Sequence, residues 1–130
     1  MEKRAINPGD WQDQFDFSQA IEVRDARRVV YCAGQISVDA QGVPIAGDMV
    51  TQFNIALDNL EIVLGKAGLD LSDVVRLNYY VTDIPAFLAA VPVVGQRLKA
   101  AGCKPATTLL GITRLAEPEW MIEIEATAVG

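Results

Sequence analysis

Between Asp48 and Gly68 the chain commits itself to one long helix. Met49, Phe53, Ala56, Leu57, Leu60, Val63, Leu64 and Ala67 recur every three to four residues, while Gln52, Asp58, Asn59, Glu61 and Lys66 fall largely elsewhere on the wheel. Asp48 suits the N-cap and Gly68 the left-handed position just past the end. A helix with one apolar stripe has to lie on a sheet or a neighbour. The next segment supplies the sheet. From Asp73 to Asp83 the residues Val74, Val75, Leu77, Tyr79, Tyr80 and Val81 give a near-continuous β-rich run, which predicts a strand buried on both faces.

The flanking segments fit around that pair. Residues up to about Asp16 are polar, carry the turn signal Asn7-Pro8-Gly9-Asp10 and read as a surface segment over 1–16. Ala20–Val23 reads as a strand, Arg24–Arg27 as a hairpin turn, and Arg28–Ala33 as a second strand. Asp39–Gly42 turns. Pro92 lacks the N–H that a helix interior uses, so a second helix is expected to begin at Pro92 and to stop at Gly102, with Ile84–Ala90 a separate short turn. Thr107–Thr113 and the alternating Met121–Val129 complete the strands. The order β-β-α-β-α-β-β predicts an α+β fold, a mixed β-sheet with two helices packed on one face. Its other face, given the chain's apolar surplus, is expected to be buried by self-association.

Composition narrows the chemistry. The 130 residues suit a single domain over 1–130. Hydrophobic residues make up 51% and the mean hydropathy is +0.21, values that lean towards a homo-oligomer. The net charge is −6, and Arg24, Arg27 and Arg28 are interleaved with Asp25. No basic stripe offers itself to nucleic acid. There is no histidine, which removes Ser-His-Asp and Cys-His systems and most zinc sites. Cys32 and Cys103 form no CxxC pair. With no signal-peptide pattern and no apolar run long enough for a bilayer, a reduced cytoplasm is expected.

An ordered set of short segments then resembles a known family. Phe17-Ser18-Gln19-Ala20 resembles its Tyr-Ser-Gln-Ala, and Ala33-Gly34-Gln35 its Ser-Gly-Gln. Gln52 with Ala56–Leu60, Val63-Leu64 and Ala67-Gly68 resembles its long helix. Asp73–Arg76 with Tyr80–Asp83 resembles its central strand. Pro105-Ala106 and Ile122–Ala126 close the match over roughly residues 17–128. The family is the RidA/YjgF family, also called the endoribonuclease L-PSP or UK114 family. The resemblance implies a chorismate-mutase-like domain, a homotrimer with its sheets around a central core, and a small-molecule cleft between neighbouring subunits. It also implies hydrolysis of enamines and imines without a metal or organic cofactor. In the family an arginine clamps the substrate carboxylate, and a carboxylate on the last strand handles water.

Carried over residue by residue, the resemblance is incomplete. Thr107 follows Pro105-Ala106 where the family has its arginine, and a short neutral side chain cannot offer a guanidinium fork. Phe17 replaces the tyrosine, Ala33 the serine, Val91 an asparagine and Leu109 a cysteine. Gly34, Gln35 and the acid, Glu123, are kept. The implied site is therefore catalytic Glu123 with Phe17, Ala33, Gly34, Gln35, Val91, Thr107 and Leu109 around the substrate. Arg76, Arg97 and Arg114 are alternative sources of a clamp. Strand alternation puts Glu123 and Glu125 on one face, so the pattern selects a neighbourhood. Burial of Glu123 among Phe17, Leu109 and Trp120 would raise its pKa. Cys32 reads either as a nucleophile or as a small buried apolar residue, and Cys103 as an incidental turn residue.

Two functions stay in view. One is a hydrolase of an imine, enamine or related activated C–N compound with altered specificity. The other is a non-catalytic trimer that binds a small ligand or a partner. Ribonuclease activity, the third, meets an acidic chain without histidine or a basic groove. No nucleic-acid or membrane partner is expected.

Overall fold

The computed structural model describes residues 1–130. Its central sheet has four strands in the order β3-β6-β4-β5: β3 (Val29–Tyr31), β4 (Val74–Val81), β5 (Ala106–Gly111) and β6 (Ile122–Val129). β4 and β5 run parallel, and β6 is antiparallel to both β3 and β4. The sheet is mixed, as expected. Two helices, α1 (Met49–Lys66) and α2 (Ile84–Ala100), cover one face. Leu77, Tyr79, Val81, Ile122, Ile124 and Ala126 meet Phe53, Leu57, Leu60, Phe87, Val94 and Leu98 in a single core. Neither helix is long and apolar enough to cross a membrane.

The helix ends follow their caps. The Asp48 carboxylate accepts from the Thr51 N–H at 2.9 Å, satisfying a first-turn donor. Gly68, at φ 73°, takes the left-handed step that ends α1. α2 corrects the expectation of a break at Pro92. It starts at Ile84, where Asp83 accepts from the Ala86 N–H at 3.0 Å and Pro85 sits in the first turn. It then runs through Pro92 without interruption. Phe87, Ala90, Val94 and Leu98 are buried at helical spacing on both sides of the proline. That continuous apolar stripe outweighs one missing hydrogen bond, whose free acceptor, the Leu88 carbonyl, lies on the exposed side.

Three other expectations are corrected. Residues 1–16 are not only a surface wrap: Glu2–Ile6 form β1, paired antiparallel with β2 (Ala20–Arg24). Every β1 residue is exposed, so no apolar periodicity marks the strand, and backbone pairing makes it. Arg24–Arg27 is not a β2–β3 hairpin, since β2 pairs with β1 and β3 with β6. The reason is an anchor. The Ser18 N–H donates to Pro105 O at 2.9 Å and its hydroxyl to Lys104 O at 2.7 Å, which starts β2 beside β5 at one sheet edge. β3 starts at the other edge, where Arg27 and Arg28 N–H groups donate to Gly130 O. The β1–β2 ribbon therefore crosses the end of the sheet. Finally, β4 is not buried on both faces. Leu77, Tyr79 and Val81 are buried, but Arg76 is exposed and Asn78 and Tyr80 are half-buried. Within one chain the outer face of the sheet is mostly polar, with Val29, Tyr31 and Leu110 as exposed apolar side chains.

Candidate functional site

The eight candidate residues fall into two groups on opposite faces of one sheet. Phe17, Val91, Thr107 and Leu109 line a cavity of about 240 Å³ at the α2 edge. In the parallel ladder Thr107 sits beside Leu77 and Leu109 beside Tyr79, and side chains paired in register point the same way. Both therefore face the helices. The floor is aromatic: Phe53, Tyr79 and Phe87 also line the cavity. The Phe53 and Phe87 rings stack at 5.5 Å and Tyr79 tilts against Phe87 at 5.0 Å. Phe17 meets Trp11 edge-on at 5.7 Å. Burial pushes the Tyr79 phenol up, and the Asp16 carboxylate adds to it. Asp16 is the single charged side chain in the lining. The aromatic floor and Asp16 were missed in the sequence. Phe53 reads there as ordinary helix core, Phe87 falls in the segment read as a separate short turn, and Asp16 in the polar surface segment.

Glu123, Ala33, Gly34 and Gln35 make the second group, on the outer face. Glu123 stands opposite Tyr80 in the β4–β6 register. Between Tyr31↔Thr127 and Gln35↔Ile124 the β3–β6 register slips by one residue, a local bulge around Ala33-Gly34. The bulge brings the Gly34 backbone against the Glu123 carboxyl: a Cβ at Gly34 would lie 1.9 Å from Glu123 Oε2. Only glycine permits that approach. The Gln35 side chain donates to Ala33 O at 3.1 Å and its backbone exchanges hydrogen bonds with Ile124. The segment is held from behind by Asn59 on α1, which donates to Ile36 O and Val38 O.

The two acids of β6 have different surroundings. The Tyr80 hydroxyl donates to the Glu125 carboxylate, and Asn78 Nδ2 donates to it at 3.2 Å. These bonds hold the Glu125 carboxyl below its usual range. Glu123 has no such donor. Burial pushes its carboxyl up, and the neighbouring Glu125 charge adds to this. The expected direction of the shift holds, but its setting is different: Gly34 and Glu125 surround Glu123, not Phe17, Leu109 and Trp120. Trp120 instead donates its indole N–H to Ser37 O at 3.0 Å. Hydrogen bonds favour the charged form of Glu125, while burial disfavours that of Glu123. The alternation pattern alone could not separate them.

No arginine reaches the cavity. Arg76 donates to Thr108 on the outer face, Arg97 is engaged by Asn54, Asp58 and Glu61, and Arg114 bonds to the carbonyls of Leu115 and Ala116. Both cysteines are free and buried. Cys103 is therefore core and not an incidental turn residue. Burial pushes its thiol up to about 12 and raises that of Cys32, so neither is a thiolate nucleophile near neutral pH. No group of three or more His, Cys, Asp or Glu side chains is placed to hold a metal ion.

Known proteins share this fold and sequence. The family model described as endoribonuclease L-PSP matches residues 12–130. The protein DfrA of Myxococcus xanthus is 34% identical over 114 residues, covering 87% of this chain and 84% of that protein. The crystal structure of YyfB from Yersinia pestis, a protein of the conserved Rid family, superposes with a TM-score of 0.88 at 38% identity, covering 99% of each chain. Escherichia coli TdcF, solved with bound serine, gives a TM-score of 0.72 at 26% identity over 88% of this chain and 87% of that one. The match over nearly the whole chain and the shared α+β architecture make this chain a member of the RidA/YjgF/UK114 family, the endoribonuclease L-PSP family.

Proposed function

We propose that the protein is a RidA-type hydrolase of an imine, enamine or related activated C–N compound, working without a metal or organic cofactor. The observation that carries the reading is the contrast between the two β6 acids. Glu123 is unpartnered and raised in pKa beside the bare backbone of Gly34, while Glu125 is fixed by Tyr80 and Asn78. In this reaction Glu123 takes a proton from water as the oxygen adds to the imine carbon. It returns the proton to the nitrogen of the carbinolamine, and collapse of that adduct releases ammonia and a carbonyl product. The E. coli relative TdcF, 28% identical over 106 residues, is provisionally named a reactive intermediate deaminase.

The two half-sites point away from each other within one chain. The reading therefore needs the cavity of one copy to face the Glu123–Gly34 edge of the next, in a cytoplasmic homotrimer with its clefts between subunits. A non-catalytic ligand-binding trimer is the second reading. It is favoured by the wholly uncharged replacements Phe17, Val91, Thr107 and Leu109 in the cavity wall.

The test generates 2-aminoacrylate and 2-iminobutyrate in situ with a serine/threonine dehydratase and follows keto-acid release. Asp16 lines the same cavity and would pair with a new guanidinium, so the clamp is restored in the double variant Asp16→Asn/Thr107→Arg. We expect it to exceed wild type by about thirtyfold or more, the lower end of what one buried charge partner supplies. Adding Glu123→Gln should abolish the gain. No acceleration by wild type or by the double variant would leave the binding trimer standing instead.

A further inference from the structure

The cavity beside α2 holds one charge, and that charge is negative. Asp16 ends the 3-10 turn Trp11–Phe15 in the left-handed conformation, φ 56°, with its N–H bonded to Asp13 O. Its carboxylate rests on α2 where that helix has no side chain: a Cβ at Gly95 would stand 2.6 Å from Asp16 Oδ2. No ion pair within 4 Å and no side-chain hydrogen bond reaches this carboxylate. Lys104, which shares a surface groove with Asp16, is taken by Asp13 at 2.5 Å. Lys99 borders the same groove without pairing. The carboxylate borders a wall of Phe15, Phe17, Phe87 and Tyr79, and no lysine or arginine pairs with it, Lys104 being held by Asp13.

An unpaired carboxylate favours a cationic partner, and aromatic faces favour cations as well. The same rings present flat apolar area, and Thr107 adds one neutral donor and acceptor. We infer that this cavity takes a small organic cation, a protonated amine or iminium nitrogen carried on a flat apolar body with no carboxylate beside it. The nitrogen lies at Asp16 and the body on the aromatic floor. An anionic ligand meets repulsion at Asp16 and finds no arginine. The inference names the ligand class for the cavity used in the proposed function, and it rests on that reading only in treating this cavity as the substrate pocket.

Calorimetric titration of the full chain at pH 7 with phenethylamine, 2-phenylethanol and 3-phenylpropionate tests it. The amine should bind about tenfold or more tighter than the alcohol, one exposed-to-half-buried charge contact, and the carboxylate should bind most weakly. Asp16→Asn should erase the amine's advantage over the alcohol, and asparagine tolerates the left-handed φ, so the fold is kept. Added salt should weaken the amine and not the alcohol in wild type, a readout that needs no variant. Equal binding of amine and alcohol, preference for 3-phenylpropionate, no binding of any probe, or an advantage that survives in Asp16→Asn would each overturn the inference. Amine selectivity of wild type together with no keto-acid release by the clamp-restored Asp16→Asn/Thr107→Arg variant would remove the catalytic reading and leave this one. Hydrolysis without amine selectivity would do the reverse.

Discussion

Glu123 and Glu125 have carboxyls shifted in opposite directions by their immediate neighbours. Glu123 and Glu125 are two residues apart on one strand face, yet hydrogen bonds favour the charged form of one and burial disfavours the charged form of the other. For Glu123 the folded pKa lies above the unfolded one. Its ionisation therefore opposes folding, an effect absent below the ordinary carboxylate value and fully present once pH has risen through the raised one. Glu125 has the opposite sign: its contribution is present above the unfolded value and is lost as pH falls through the lowered one. We therefore predict that Glu123→Gln is more stable than wild type to urea at pH 7, and that the difference closes by about pH 4. Urea midpoints at the two pH values measure it. A Glu123→Gln protein no more stable than wild type at pH 7 would mean that the carboxylate is well solvated.

α2 sets the shape of the cavity wall, because Phe87, Leu88, Val91, Gly95 and Leu98 all lie on it. Its cap at Asp83 and its basic last turn, Arg97 and Lys99, favour the helix at both ends, whereas Pro92 works against it. Proline in a helix interior costs up to about 3 kcal/mol relative to alanine. Pro92→Ala restores the bond from residue 92 to the Leu88 carbonyl on the exposed side and should stabilise the protein by about 1 kcal/mol or more. A denaturant melt reads this directly. An unchanged or lower midpoint would show that the cavity wall depends on the geometry Pro92 imposes. Sequence reasoning located the half after Pro92 and read the half before it, Ile84–Ala90, as a separate short turn. Pro92 is a strong local signal, and the apolar stripe from Phe87 to Leu98 that overrides it becomes visible only when both halves are laid on the same sheet.

The outer sheet face belongs to the whole-molecule scale. It carries the Tyr80–Glu125–Asn78 cluster, Arg76 with Thr108, and three apolar side chains left open to solvent, Val29 at 48%, Tyr31 at 81% and Leu110 at 48% exposure. A sheet face this mixed is suited to an interface with a polar centre and apolar anchors. We predict a solution mass about three times the 14.1 kDa of one chain, read by light scattering. Leu110→Arg should shift it towards the monomer, and imine hydrolysis should be lost with the trimer if, as proposed, the two half-sites are joined between copies. A monomeric wild type that still hydrolyses imines would refute the shared cleft.

Local chemistry made much of this molecule legible in advance. The capped stripe of α1, the alternation in β6 and the apolar run of β4 each express a period that one segment carries by itself. The ordered short segments then carried the family. β1 was not legible, because it buries no side chain and exists through pairing with β2. The path of β2 was decided by the Ser18 anchor on residues 104 and 105, far away in the chain. The site divided in the same way. The residue types of Glu123, Gly34, Phe17 and Thr107 could be read off the sequence, but not that they lie on opposite faces of one sheet, that Glu125 is tied off while Glu123 is free, or that Asp16 enters the cavity. Periodicity and capping are properties of neighbouring residues, whereas burial, charge pairing and the choice of face arise only when distant segments are packed together.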